Sequence, residues 1–449
     1  MLSKALSQAA GAGEPTDPNW GQVSLLLHGD GTNGAQNNTF VDSSSGGTSI
    51  TRNGNPTQGS FSPYYDAAGD YDPAINGGSG YFDGTDDYLQ TVDTYAIGTQ
   101  NFTIEAWVYC SSYSVNQQII ALDGGTTNRW QLFVASTNDL VFRYSGSGSD
   151  ITYATGLTAD QWEHVAVVRE GTGTNQTKIY LNGTQVAQGT VATTYATDNF
   201  NIGTGRTPGA SITGYLSDVR VVIGTAVYTS NFTPPTAPLT AITNTAFLCN
   251  FTNAGIFDNA MLNDFETVGN AQISTSVKKY GTGSMSFDGT GDWLTGVDSV
   301  SQQFGTESFT IEGWVYLNAL GAARGFISKG TSTTGWSIGV NSSNQLVFSY
   351  TATALTGSTA LSGSTWYHFA VVRNGSASGN LKIYLNGVAD ATSGGAVTDN
   401  FNQTSTLYIG ADRVGASALN GYIDDLRITK GVARYTANFT PPTRAFPNS

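Results

Sequence analysis

Three features of the sequence predict an all-β fold built from two tandem antiparallel β-sandwich domains. A series of strings recurs in the same order about 205 residues apart, apolar and polar residues alternate with a period of two inside those strings, and Gly, Asn, Asp, Ser and Thr clusters separate them. Convincing long helical periodicity occurs nowhere in the chain. A repeat of about 200 residues is a whole domain and not a solenoid unit, and at that length a two-sheet jelly roll is the favoured sandwich.

The repeat is explicit. FDGTDDYL at 82–89 returns as FDGTGDWL at 287–294, and NFTIEAWVY at 101–109 as SFTIEGWVY at 308–316. NDLVFRY at 138–144 returns as NQLVFSY at 344–350, QWEHVAVVRE at 161–170 as TWYHFAVVRN at 365–374, and KIYLNG stands at both 178–183 and 382–387. YLSDVRV at 215–221 matches YIDDLRI at 422–428, and the copies close with YTSNFTPPT and YTANFTPPT. Within one such string Phe102, Ile104, Ala106 and Val108 alternate with Thr103, Glu105, Trp107 and Tyr109, the pattern of a strand with one face on a core. Paired prolines cannot donate ladder hydrogen bonds and mark where each copy ends. The expected division is a segment at 1–19, a first domain at 20–236, a short linker at 237–243 and a second domain at 244–449. In the first segment Leu2, Ala5, Leu6 and Ala9 recur at helical spacing, which reads as a short docking peg or a frayed tail.

Composition narrows the function. The 449 residues carry 19 Lys plus Arg against 33 Asp plus Glu, a net charge of −14, and the basic residues form no cluster. Nucleic-acid binding needs a basic footprint, so it is excluded as an expectation. Neither an 18-residue apolar run nor a hydrophobic secretory stretch is present, which predicts no membrane insertion and no secretory signal. Cys110 and Cys249 fall at non-equivalent positions of the repeat in apolar strings and read as buried free thiols.

The ordered set FDG-x-x-D-aromatic-L, F-T-I-E-x-W-V, W-x-H-x-A-V-V-R, K-I-Y-L-N-G and G-Y-[LI]-[SD]-D-[VL]-R resembles the LamG-like jelly rolls of the concanavalin A-like lectin/glucanase superfamily. The opening LLLHGDGTNGAQNNTFVDSSSGG and the closing DDLRITKGVARYTANFTPP further resemble versions of this domain in structural and tail-associated proteins of marine bacteriophages. The resemblance implies a non-enzymatic virion structural, decoration or appendage protein on the particle surface. Its partners would be capsid or tail proteins, further copies of itself and a host-surface glycan. A soluble or cell-surface carbohydrate-binding adhesin, extracellular in location, is the alternative.

Each candidate residue also has a plainer structural role. Glycoside hydrolysis needs two carboxylates about 5–9.5 Å apart, whereas Glu105 and Glu312 are the only acids of their strands and their same-face neighbours are Thr and Trp. No catalytic residue is therefore expected. His164 and His368 occupy one repeated position and read as half-buried structural residues. No cofactor is expected except calcium, which LamG-like domains frequently hold near the sandwich rim. The matching acids are Asp42, Asp218, Asp258, Asp424 and Asp425, with turn capping as the plainer role. The first copy also carries an insertion of about ten residues in which Tyr64, Tyr65 and Tyr71 interleave with Asp66, Asp70 and Asp72. That content suits contact with glycan or protein, or simple packing. Trp107, Trp130, Trp162 and their equivalents Trp314, Trp336 and Trp366 read as a shared core.

Overall fold

The computed structural model describes residues 16–65, 71–124, 127–146, 148–206, 211–331, 334–351 and 353–448. The chain divides into two compact units: a central one, Asn38–Tyr65 with Asp72–Asn253, and a flanking one, Met1–Asn37 with Asp66–Tyr71 and Ala254–Ser449. Among the described residues each unit pairs an eight-stranded with a seven-stranded antiparallel sheet, as the alternation predicted.

In the central unit the eight-stranded sheet runs Thr184–Gly189, Thr177–Leu181, Glu163–Arg169, Phe102–Tyr109, Thr213–Ile223, Ser79–Asp83, Thr57–Gly59, with Thr245–Cys249 also paired to Thr213–Ile223. The flanking unit repeats the order with Val388–Thr392, Leu381–Leu385, Trp366–Arg373, Phe309–Leu317, Asn420–Lys430, Ser284–Asp288 and Gln272–Ser274. Its eighth strand is Val23–Leu27, from the far end of the chain, on Asn420–Lys430. Inward residues of the two sheets meet in one core per unit, around Ile104, Val167 and Trp130 in the central unit and Ile311, Val371 and Trp336 in the flanking one.

This pairing corrects the linear domain division. The first strand of the second copy, Thr245–Cys249, completes the sheet of the first copy, and the first strand of the first copy, Val23–Leu27, completes the sheet of the second. The residues expected as a linker are part of the central unit: the Leu239 N–H donates to Asp218 and the Thr240 carbonyl accepts from Arg220. The last residues of the segment expected at 1–19 are likewise built in, since Asp17 is buried against Arg427 and Arg434. Leu2, Ala5, Leu6 and Ala9 lie outside the described residues.

The recurring KIYLNG string has a local cause. Asn182 (φ 47°) and Gly183 (φ 76°) form the two-residue loop between Thr177–Leu181 and Thr184–Gly189, and Asn386 (φ 48°) and Gly387 (φ 77°) do the same in the other copy. Two positive φ values in succession suit the twist of a tight hairpin and select Asn-Gly. A side chain at Gly183 would also put its Cβ 1.9 Å from the Phe232 carbonyl, because the closing NFTPPT segment docks on this turn through a Phe232 N–H to Gly183 carbonyl bond.

Candidate functional site

Strand parity fixes what each face of the eight-stranded sheet carries. In Phe102–Tyr109 the inward residues are Phe102, Ile104, Ala106 and Val108, all within the core cluster. Thr103, Glu105, Trp107 and Tyr109 therefore form an outward column. The closing segment covers half of that outward face: Tyr228 stacks on Phe232 at 3.6 Å, and both pack on Ala166, Val168 and Tyr180. Tyr435 and Phe439 repeat this over Ala370, Val372 and Tyr384.

Beneath the cover lies Glu105, fully buried, accepting from Arg220 at 2.6 Å and the Tyr228 hydroxyl at 2.7 Å, with His164 Nε2 at 3.1 Å. Burial opposes its ionisation, yet the His164 hydrogen bond and the Arg220 charge hold its carboxyl below the usual range. Glu312 is its counterpart, with Arg427 at 2.7 Å and Tyr435 at 2.7 Å. Against an opposing burial effect, Arg427, His368 and Arg434 likewise hold its carboxyl below the usual range. Neither carboxylate reaches solvent, so these are structural ion pairs, and His164 and His368 are fully buried where half-burial was expected.

Beyond the cover the same face ends in an aromatic row. Tyr215 pairs in register with Tyr81 on one side and Tyr109 on the other. Trp162, just ahead of Glu163–Arg169, meets Tyr109 with ring centroids 5.6 Å apart. Phe61 lies over the row, 5.1 Å from Tyr109, 5.3 Å from Trp162 and 4.8 Å from Tyr215. All five rings are half-buried, so each keeps part of its surface in water. Acids flank the row: burial, then Asp83 and Asp87, push the Tyr81 hydroxyl up to about 12, and burial followed by Asp160 raises Tyr109. In the flanking unit Tyr422, Tyr316 and Trp366 keep the row, while Ser286 stands where Tyr81 does.

These residues were readable and were missed. The expected tryptophan core holds for Trp130 and Trp336, which are fully buried, whereas Trp314 is buried on the outward face, Trp162 and Trp366 are half-buried members of the row, and Trp107 is also half-buried. Counting back by twos from outward Ala166 and His164 reaches Trp162, a parity signal sufficient to separate it from the core.

The predicted contact loop is differently employed. Tyr64 is buried, its hydroxyl donating to Asp218 and its ring against Trp107 at 6.1 Å, so it is packing and not a contact. Tyr71 packs on Phe257 at 4.8 Å, Tyr65 is half-buried, and Asp72 caps the short helix Pro73–Asn76 by accepting from the Ala74 N–H. Asp66 and Asp70 lie outside the described residues.

The five acids matched to calcium hold protein donors instead. Asp42 accepts from the N–H groups of Ser44, Thr48 and Leu248 and the Ser44 hydroxyl; Asp258 accepts from those of Leu26, Ala260 and Leu262 and the Asn263 amide. Asp218 and Asp425 sit at equivalent strand irregularities with φ of 48° and 49°, which turn each side chain toward the inserted strand. There Asp218 takes the Asn250 amide and Asp425 takes His28 Nδ1. Asp424 accepts from the N–H groups of Lys279 and Tyr280. Four of the five thus clamp the exchanged strands, and their filled oxygens do not fit a cation. Among the described residues, the acids close enough to share one are Asp83, Asp86 and Asp87, whose ligand oxygens lie within 4.8 Å. Cys110 and Cys249 are free and buried, as expected, and burial pushes both thiols up to about 12.

A search of curated proteins gives no match. Among solved structures, the chain is similar to domains LG4-5 of the mouse laminin alpha1 chain at 12% identity, covering 85% of this chain and 99% of that one with a TM-score of 0.29. Domain 4 of a GH43 extracellular arabinanase from Geobacillus stearothermophilus, in complex with arabinotriose, matches at 16% identity over 39% of this chain and 87% of that one, TM-score 0.32. A botulinum neurotoxin type C structure, described as dependent on two ganglioside molecules for cell entry, matches at 20% identity over 39% of this chain, TM-score 0.31. The match spans 46% of that toxin chain, about half its length. The family model described as the concanavalin A-like lectin/glucanases superfamily matches residues 83–225 and 288–434, which carry most of the strands of both units, and the chain belongs to that family.

Proposed function

We propose that this chain is a non-catalytic recognition protein that presents two lectin-like faces from a virion surface, as a structural or decoration component that aids attachment to a host glycan. The observation that carries the recognition half is the aromatic row Tyr81, Tyr215, Tyr109 and Trp162 with Phe61 above it, half-buried and flanked by Asp83, Asp87 and Asp160. Ring faces stack on the apolar faces of sugars while acids accept from hydroxyls, the usual composition of a glycan contact. Burial of Glu105 and Glu312 supports the non-catalytic half. The virion half is supported by the likeness of the two end strings to phage structural proteins, and two copies of a weak face multiplied over a particle give useful avidity.

A glycan array with the full chain and with Trp162→Ala tests recognition: binding that disappears in the variant supports it, and unchanged binding or none on any glycan overturns it. Peptide mass spectrometry of purified particles tests location. Stoichiometric recovery supports the virion reading, and a protein found only free in the medium makes it an adhesin instead.

A further inference from the structure

The two reciprocal strands occupy one kind of slot. In the central unit Thr245–Cys249 lies on Thr213–Ile223, held by Asp42 at the Leu248 N–H and by Asp218 at Asn250. In the flanking unit Val23–Leu27 lies on Asn420–Lys430, held by Asp258 at the Leu26 N–H and by Asp425 at His28. The strands share little sequence, TAFLC against VSLLL. What the slot reads is a backbone N–H for one acid, a polar side chain just past the strand for the other, and apolar residues such as Phe247 or Leu25 and Leu27 for the core.

The pattern is a closure rule: the strand that begins the second repeat finishes the sheet of the first, and the sheet of the second presents the same kind of slot. Its slot is filled by the first strand of the chain, with about 390 residues between donor and acceptor, a loop whose closure entropy grows with length. During synthesis the donor emerges first and its slot last. An identical strand from a neighbouring chain satisfies the same clamps, and exchange of an identical element is a low-cost route to association.

We propose that Val23–Leu27 is an exchangeable closing strand and that its second partner is another copy of this chain, whose flanking unit it completes. The contacts in trans are those already seen within the chain: the strand ladder, Leu26 N–H to Asp258, and His28 to Asp425. Head-to-tail exchange of this kind closes into rings, or extends when it does not close.

Cysteine trapping in the full chain tests this. Val23 and Thr429 are register partners, and the native thiols are buried with little tendency to ionise, so mild oxidation acts on introduced cysteines. A Val23→Cys chain and a differently tagged Thr429→Cys chain are unfolded, mixed and refolded at rising concentration, while light scattering follows the mass of the refolded wild type. The expected result is a covalent heterodimer whose yield rises with concentration, at least tenfold above that from chains mixed after folding, with wild-type dimer appearing in parallel. The double variant, refolded dilute, closes its disulfide within one chain. Single-chain mass at every concentration overturns the proposal. So does a wild-type dimer without the heterodimer cross-link, because association then uses another surface.

Discussion

The outward faces of the two eight-stranded sheets share a register and differ at both ends. At the covered end the central unit balances Glu105 against Arg220 and sends the remaining arm of that guanidinium to the Thr240 carbonyl at 3.0 Å. The flanking unit balances Glu312 and Asp17 against Arg427 and Arg434, with Asp17 at 2.9 Å and 2.7 Å from the two guanidiniums. At the open end the central unit carries five rings and the flanking unit three. The middle of the face, a Glu with its Arg, His and Tyr, is common to both. The comparison separates what the fold requires from what each copy is free to vary: charge under the cover is kept neutral in each case, and the exposed row is where the copies diverge.

The largest expected effect tests the covered end. Arg427→Met leaves Glu312 and Asp17 sharing one guanidinium in a buried site, and removing one partner of a buried pair costs about 3–5 kcal/mol. Arg220→Met leaves a single acid with His164 and Tyr228 still attached, and is expected to cost less. Denaturant unfolding of both variants orders them, and equal losses would erase the distinction.

Next come the clamps, which the comparison makes equivalent. Asp42→Ala and Asp258→Ala each orphan several buried N–H groups, at roughly 1–3 kcal/mol for each group left unsatisfied. Thermal melts should show similar losses for the two. A loss in one alone would mean that one strand is held chiefly by its core residues.

One pH dependence should be specific to the flanking unit. Burial, then Asp425, pushes Asp424 up to about 7 from an unfolded value of 3.8. A raised acid binds its proton more tightly when folded, so this contribution is fully present below the unfolded value and is lost as pH rises through about 7. The equivalent Ser217 does not titrate; its hydroxyl donates to the Gly78 carbonyl. Asp424→Asn retains an oxygen for the Lys279 and Tyr280 N–H groups and should flatten the fall in melting temperature between pH 4 and 7. An unchanged slope would assign the dependence elsewhere.

The smallest effect is at the open end. Tyr81→Ser gives the central row the residue of the flanking one, and a tenfold loss of glycan affinity, about 1.4 kcal/mol, is expected by titration calorimetry. Ser286→Tyr should move the flanking row the opposite way. Affinity indifferent to both would place recognition away from the row.

The sandwich was legible because alternation and the repeat are local properties: Phe102 to Val108 announces its inward face without reference to any other strand. The exchange was not legible, because the VSLLL run is apolar on both faces and fits either unit equally well. The acids misled for a related reason. Asp42 and Asp258 are held by main-chain N–H groups, which no side-chain pattern reports, and a carboxylate after a strand reads alike whether it caps a turn, binds a cation or grips a neighbour. The row was legible by parity, but the repetition of Trp162 as Trp366 suggested a core residue, since symmetry marks shared structure without saying which side of the sheet it occupies.

Both ends of the described chain are fastened within one unit, Asp17 by two guanidiniums and Asn448 by His28. The first strand, buried along its whole length, is also part of the ladder that finishes the last sheet. Unpairing of that strand therefore strips a sheet, and its opening is tied to unfolding of the whole unit. Survival of the folded chain in a protease-rich setting then becomes a matter of rate, set by how seldom that cooperative opening occurs.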